Sequence, residues 1–561
     1  MRGRRVRAID LYAGVGGWSL GLNLADISVV ASYERWRPAI ATNRRNNQHD
    51  VVEADIRTMP LDALPRDIDL VVGSPPCTQF SYANRGGSGD IEDGLKDIAR
   101  FLEIVEYLRP KWWVMENVPR VVSIVEKELK EGGCLERFRH LEPRSEVFRL
   151  EEFGIPQRRR RCLIGNINFD LLHSYTRQQP SLALGEVLRA LGGETVVDPL
   201  YGFSRHRSQV SDHELERPLS EEELRINRSS KELHPVYNRM PFPEPLDKPV
   251  RTITAVCTRV SRESIIVDGG AGFRRLSVRE RASLQGFPID YEFEGVNYAQ
   301  KARLVGNAIP PVFTYLVGQA AKGVLSTKVM PLRKAYHPRQ IAQSRPMSTK
   351  PIETVARRFP PTRTFRFAIP ALHFKSGVRF ELHNRAEQST IQWAVDLWFG
   401  PSKSISRLRP DRHLAGRLGG AFLRAGLCLS HRVMELERFL ASVDFVRLQD
   451  VWAHQGPGGT RPFDLLDGLD YAASKLATDL NPYEELSCRL VASEVDYAFA
   501  ETGSPRGAAK LLKNATKVAA GMLVSGVFNG HIADQVKTSP LAPFLRSDGP
   551  PSDYAAHRIG A

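Results

Sequence analysis

A core-strand pattern that runs straight into a glycine turn and then a helix sets the frame for this chain. Val6 to Leu11 (VRAIDL) is apolar enough for a buried strand, AGVGG follows at 13–17, and a helical stretch begins at Trp18. Strand, glycine turn and helix in that order form the first unit of an open α/β sheet that receives a nucleotide-like cofactor. Glycine there lets the backbone turn tightly and come close to a ligand. The spacing G-x-G-G is not the pyrophosphate fingerprint, which favours a cofactor without a pyrophosphate. A tight connection with no ligand is the competing reading of the turn by itself.

The next units extend the pattern. ISVVASY (27–33) reads as a second strand ending at Glu34, a helix over 37–46 is begun by Pro38, and a short strand around HDVVEAD ends at Asp55. A carboxylate at the first strand end suits ribose hydroxyls, and one at the second suits the exocyclic amine of an adenine. Each alone reads better as a solvated strand end; together, behind the glycine turn, they favour a cofactor. IDLVV (68–72) has the continuous apolar character of a central parallel strand. Gly73-Ser74-Pro75-Pro76 cuts it off, since proline cannot continue a ladder. Cys77 follows at the strand's carboxyl end, the edge at which open sheets bind ligands. A lone cysteine is more often a small buried hydrophobe, but a rigid Pro-Pro loop is not an apolar face.

Ile98, Phe101, Leu102, Val105 and Leu108 follow helical spacing up to Pro110. WWVM (112–115) then reads as the next core strand and delivers Glu116 to the same edge as Cys77. Arg159 and Arg161 share a face if their segment is extended, while Arg158 and Arg160 read as an exposed basic edge.

Bulk properties narrow the class. With 561 residues, 42% hydrophobic and 25% charged, the chain has an ordinary globular composition. No apolar run approaches the roughly 20 residues of a membrane-spanning helix. The basic N-terminus lacks an apolar h-region and reads as a core strand, not a signal peptide. Six cysteines without a C-x-x-C pair give no support to a metal or redox motif and suit a reducing compartment. The net charge of +14 is concentrated: residues 331–430 hold 18 basic and 5 acidic side chains. That density suits a polyanion such as nucleic acid, with a soluble basic linker as the equal alternative.

Six segments, in order, resemble the DNA cytosine-5 methyltransferase family. They are DLYAGVGG (10–17), SPPCTQFS (74–81), MENV (115–118), FGIPQRRRRCLIG (153–165), RRLSVRERASLQGFP (274–288) and VGNAIPP (305–311). The resemblance covers about residues 1–325. It implies an α/β fold, a Rossmann-like S-adenosylmethionine-dependent methyltransferase sheet with a small target-recognition domain. It also implies methyl transfer from S-adenosyl-L-methionine to C5 of a flipped-out cytosine. Cys77 would be the nucleophile on C6, Glu116 the contact to N3 and N4, and Arg159 and Arg161 the contacts to O2 and nearby phosphates. The cofactor pocket would draw on Asp10, Tyr12, Ala13, Gly14, Gly16, Gly17, Glu34, Arg35, Asp55, Ile56, Pro76 and Asn307. Implied partners are double-stranded DNA and, in a restriction-modification rather than a solitary methylation role, a cognate restriction endonuclease, with no membrane and no metal, in a bacterial or phage-encoded cytoplasmic setting.

Three positions depart from the family pattern. Thr78 stands where the family has Gln, with Gln79 one place on; Tyr12 replaces a usual Phe; and Arg35 stands where relatives have an aromatic on adenine. No residue stands out for removal of the C5 proton.

The expected organisation is a catalytic and cofactor-binding domain over 1–171, a target-recognition region over 172–271 and a return to the catalytic domain over 272–325. A basic Pro-containing linker over 326–364 and an α+β domain of unknown role over 365–561 follow. In that last domain TFRFAI and VRFEL suggest a β-hairpin, and 411–428 and 506–528 look helical. Two alternatives stay open: an RNA (tRNA) cytosine-5 methyltransferase on the same scaffold, and a DNA-binding or partner-recruiting protein with weak catalysis.

Overall fold

The apolar segments of the N-terminal half become neighbouring strands of one sheet in the computed structural model. The structure describes residues 4–538 apart from 81–88, 177–180, 234–238, 341, 344–345, 348–358, 375–376, 388–389, 402–403, 455–458, 502 and 504. Ser81 of the cysteine segment, residues 348–358 of the expected linker and the last 23 residues, 539–561, therefore lie outside the described residues. The chain divides into two units: residues 1–228 with 241–349, and residues 229–240 with 350–561.

In the first unit the strands are β1 (Arg7–Leu11), β2 (Ser28–Glu34), β3 (Asp50–Glu53), β4 (Leu70–Gly73), β5 (Trp112–Asn117), β6 (Arg144–Arg149), β7 (Gln157–Arg158) and β8 (Arg160–Gly165). Seven of them form a sheet in the order β3-β2-β1-β4-β5-β8-β6. All pairs from β3 to β5 are parallel, and β8 runs antiparallel to both β5 and β6. The order reverses at β1, so a crevice opens beyond the carboxyl ends of β1 and β4. The expected doubly wound sheet is borne out.

Helices cover the sheet. α1 (Gly17–Leu24) starts directly from the glycine turn, and α2 (Arg37–Asn46) carries Pro38 in its first turn. α3 (Ile91–Leu108) is capped by Asp90, whose side chain accepts from the Asp93 N–H. Ile98, Phe101, Leu102 and Val105 are buried against the strand residues Ile9, Val71 and Trp113. The helix Pro311–Ala321 packs on α1, where a Cβ on Gly21 would fall 2.0 Å from Thr314 Oγ1.

The interval 172–271 holds the helices Leu184–Leu191 and Glu221–Glu232, which its weak periodicity did not mark, and short strands. It contains an antiparallel pair, Thr195–Val197 with Ser204–His206, and the segment Val250–Arg251 beside β7. RRLSVRE divides between a strand, Phe273–Arg275, and a helix, Val278–Leu284, with a Ser277/Glu280 capping box.

The second unit contains an antiparallel four-stranded sheet: Arg366–His373, Arg379–Glu387, Thr390–Phe399 and Ser406–Leu408, in that order. The expected hairpin is its first two strands; the other two extend it. Helices Arg412–Arg424, Ser430–Ala441, Pro462–Leu480, Glu484–Ala498 and Ala515–Thr538 belong to the same unit.

Candidate active site

Three strand ends define the site. Leu11 of β1 is in register with Gly73 of β4, and Gly73 with Met115 of β5. The glycine turn, the cysteine loop and Glu116 therefore leave the sheet at one edge. The loop is tied down from both sides. Ser74 N–H donates to the Leu11 carbonyl (3.2 Å), and Trp18 Nε1 donates to Ser74 Oγ (3.0 Å). Asn117 Nδ2 donates to the Pro75 carbonyl (3.0 Å), and a turn closes from Phe80 N–H to the Cys77 carbonyl (3.1 Å). Pro76 and Cys77 are half-buried and Thr78 is exposed.

Glu116 is buried, and its Oε1 lies 2.8 Å from Arg161 Nε on β8. Burial pushes the Cys77 thiol above its ordinary value; Arg161 and Arg159 pull it down and Glu116 pushes it up. One thiol, one carboxyl group and two guanidiniums thus act on one another at the sheet edge.

The two arginines are not equivalent. Arg161 sits in β8, whereas Arg159 falls in the break between β7 and β8 and is fully buried. Its Nη groups donate to the carbonyls of Ile253 (3.0 Å), Gly306 (3.1 Å) and Ala308 (3.3 Å), and its buried Nε has no partner. Desolvation and the neighbouring Arg161 hold the Arg159 guanidinium well below its ordinary value. Arg159 therefore fastens the segments KPVRTITA and VGNAIPP to the sheet. Gln157 also holds KPVRTITA through its Oε1, which accepts from Ile253 N–H (2.9 Å).

Around the glycine turn, Gly14 N–H donates to Glu34 Oε2 (2.9 Å), while Arg35 and Trp36 N–H both donate to Oε1 (2.8 Å each). Gly14 has φ +54°, and a Cβ on it would meet nothing within 4 Å, so this backbone borders open space. Gly16 and Gly17 face protein instead: a Cβ would fall 2.5 Å from Asn47 Nδ2 and 2.2 Å from the Ile309 carbonyl respectively. Ala13 is buried, its N–H on the Tyr33 carbonyl. Tyr12 turns its hydroxyl to Asp97 Oδ1 (3.2 Å). Asp55 is exposed, 3.8 Å from Arg35, and Ile56 beside it is buried. Asn307 is exposed at the end of the helix Tyr298–Asn307.

Asp10 lies apart from this open edge. It is wholly buried, Oδ2 accepts from the Ser19 hydroxyl (2.9 Å), and Oδ1 has no partner. Burial pushes its carboxyl group up to about 8. The Asp10 side chain is thus held inside the protein next to Ser19.

Nucleoside-type ligands fit what the edge offers: an open glycine backbone, a half-buried carboxylate with acceptor capacity left on Oε2, and an exposed carboxylate at Asp55. Sequence reasoning missed Trp18, Asn117 and Gln157 as holders of the loop and of Ile253. Asn117 was within reach, since it directly follows Glu116 and an amide can bridge strand and loop.

A family model described as C-5 cytosine-specific DNA methylase matches residues 6–322. The type II methyltransferase M1.HphI of Haemophilus parahaemolyticus is 29% identical over 329 residues, which is 56% of this chain and 85% of the relative. M.PspPI of Psychrobacter sp. (strain TA137) is 27% identical over 346 residues, covering 56% and 79%. M.HindV of Haemophilus influenzae is 27% identical over 331 residues, covering 56% and 96%.

Proposed function

Since the chain belongs to the C-5 cytosine-specific DNA methylase family, and is a DNA cytosine-5 methyltransferase using S-adenosylmethionine, we propose that Cys77 is its covalent nucleophile on a flipped-out cytosine. The observation that carries this reading is the convergence of the Cys77 loop and the Glu116–Arg161 pair beyond β4 and β5. Cytosine C5 is a weak nucleophile. Addition of the Cys77 thiolate to C6 turns the C5–C6 double bond into an enamine whose C5 can take a methyl group. Glu116 hydrogen-bonds or protonates N3 and so draws off the charge that this addition places on the ring. Arg161 orients Glu116 and contacts the base, while Arg159 holds Ile253 and the Gly306–Ala308 backbone beside it. S-adenosylmethionine, when bound, supplies the electrophilic methyl group. Loss of the C5 proton then lets Cys77 leave and restores the double bond.

The cofactor would lie along Gly14, with Glu34 at its ribose and Asp55 and Arg35 toward its adenine. Tyr12, Ala13, Ile56, Pro76 and Asn307 complete the pocket, and Asp10, Gly16 and Gly17 shape the turn from behind. The interval 172–271 is assigned to target recognition, between the catalytic segments 1–171 and 272–325. The relatives' names, type II methyltransferases, support a place in a restriction-modification system; a cognate endonuclease and a bacterial or phage-encoded cytoplasmic setting belong to the same proposal.

The test is a trapping assay with labelled cofactor and DNA containing 5-fluorocytosine. A covalent protein–DNA adduct is expected, and Cys77→Ser abolishes it. Transfer to RNA alone, or none with DNA binding intact, overturns the reading.

A further inference from the structure

The four-stranded sheet of the second unit has two unlike faces. Strand residues alternate between faces. Phe380, Leu382, Val395 and Leu397 are buried on one of them, toward the helix Ala515–Thr538. A Cβ on Gly521 of that helix would fall 2.4 Å from the Phe380 ring, and Asn529 brackets Val395 by donating to its carbonyl and accepting from its N–H.

The register puts charge on the other face. Arg379 lies opposite Trp398 and Trp398 opposite Arg407; Glu381 lies opposite Asp396, and His383 opposite Arg366. Glu381 accepts from Arg366 Nε and Arg379 Nε (2.6 Å each). Asp396 takes the Nε groups of Arg407 and Arg409 and pairs with His383 Nε2 (2.7 Å). The guanidinium carbons of Arg366 and Arg407 lie 4.7 and 5.5 Å from the Trp398 ring centre.

Exposure separates the two signs of charge. The Glu381 and Asp396 side chains are 1% and 0% exposed, while those of Arg366, Arg407 and Arg409 are 49%, 20% and 43% exposed. The buried carboxylates fix the direction of the arginines, and the exposed members of these ion pairs are the cationic ones. Arg385, on the same face, is exposed as well. From Arg366 on the first strand to Arg407 on the last is three strand spacings, about 14 Å.

We propose that this face is a second DNA-binding surface, which holds phosphates of duplex DNA without reading its bases. Guanidiniums with Nε fixed by a carboxylate are pre-oriented for phosphate oxygens, and the polyanion that complements them is the class of molecule the enzyme acts on. Such contacts add affinity and salt dependence rather than sequence choice. The proposal does not depend on Cys77.

The test uses the full chain and an A·T-only duplex, which offers no cytosine. In a salt series, Arg366→Gln/Arg409→Gln is expected to lower the slope of log K against log salt by about 2. Between 50 and 200 mM salt, loss of affinity then becomes about tenfold smaller than in the wild type. Methylation kcat at saturating cytosine-containing DNA stays unchanged. An unaltered slope in a variant that still unfolds cooperatively overturns the proposal. Arginine modification by phenylglyoxal, mapped by peptide mass, gives a second readout on the unaltered protein. The duplex is expected to protect Arg366, Arg407 and Arg409. Equal modification with and without DNA, or stronger protection by polyglutamate, overturns it, the latter in favour of an acidic protein partner.

Discussion

Arg161 Nε and Glu116 Oε1 stand 2.8 Å apart with side chains 14% and 9% exposed, and the two act on the Cys77 thiol with opposite sign. Arg161 favours the thiolate and Glu116 opposes it. The two members can therefore be told apart by experiment. Glu116→Gln removes a repelling charge from the thiol and also the proton relay to N3. Alkylation of Cys77 by iodoacetamide should speed up at fixed pH, while methyl transfer falls by about 10²-fold or more. Arg161→Ala should slow both. If both variants shift alkylation in the same direction, the assigned electrostatics are wrong.

The pH response of the free thiol follows from the same site. Burial holds Cys77 above the ordinary thiol value, so near neutrality almost all of it is protonated. The thiolate fraction, and with it the alkylation rate, should climb about tenfold per pH unit from pH 7 to 9 without levelling off. Cys428 is exposed and shifted the other way, so it should react first. Peptide mapping after timed alkylation separates them. A Cys77 rate already flat at pH 8 contradicts the direction of the shift.

Much of this edge was legible in the residues, and the reasons are local. IDLVV cut by two prolines, and VRAIDL ending in glycines, are continuous apolar runs with abrupt punctuation, so β1 and β4 and the loops after them could be placed. The reach of Arg159 could not. Its carbonyl partners lie 94, 147 and 149 residues away, and nothing in the run Arg158–Arg161 marks it as the residue that reaches them. The strand Thr390–Phe399 was missed for a different reason. In TIQWAVDLWF the positions between Ile391, Trp393, Val395, Leu397 and Phe399 include Ala394 and Trp398, so the apolar–polar alternation that exposed its neighbour is blurred. Asp396 is the clearest case: its partners His383, Arg407 and Arg409 come from other strands or the segment beyond them.

The glycines of the turn make separable predictions. At Gly17 the added methyl of alanine would collide with the Ile309 carbonyl at 2.2 Å, so Gly17→Ala should lower the thermal midpoint whether or not cofactor is present. At Gly14 there is room, and the left-handed backbone costs only about 1–2 kcal/mol. The methyl group instead enters the open space assigned to the cofactor. Gly14→Ala should raise KM for S-adenosylmethionine with kcat at saturating cofactor changed little, and its apo-protein should unfold within a few degrees of the wild type. Equal cofactor KM for Gly14→Ala and wild type would remove Gly14 from the pocket.

Asp10 makes a prediction about stability rather than catalysis. Its carboxyl group rises from the ordinary 3.8 to about 8 because it is buried without a cation, with the Ser19 hydroxyl as hydrogen-bond partner and the Glu34 charge opposing ionisation. Between about pH 4 and pH 8 the folded chain keeps a proton on Asp10 that the unfolded chain has released. Stability tied to that proton is fully present below the lower value and is lost as pH rises toward the upper one. Asn carries no such proton, so Asp10→Asn should gain on the wild type as pH rises. The gain is on the order of 1 kcal/mol per pH unit across the window and levels off above pH 8. His49, linked to Asp10 through Ser32 and Ser19, is lowered to about 4 and destabilises the fold only on the acid side of its ordinary 6.5. A comparison between pH 6.5 and 8 therefore isolates Asp10. Thermal midpoints of the two proteins at half-unit steps give the result, and parallel curves would mean that Asp10 is already ionised in the folded chain.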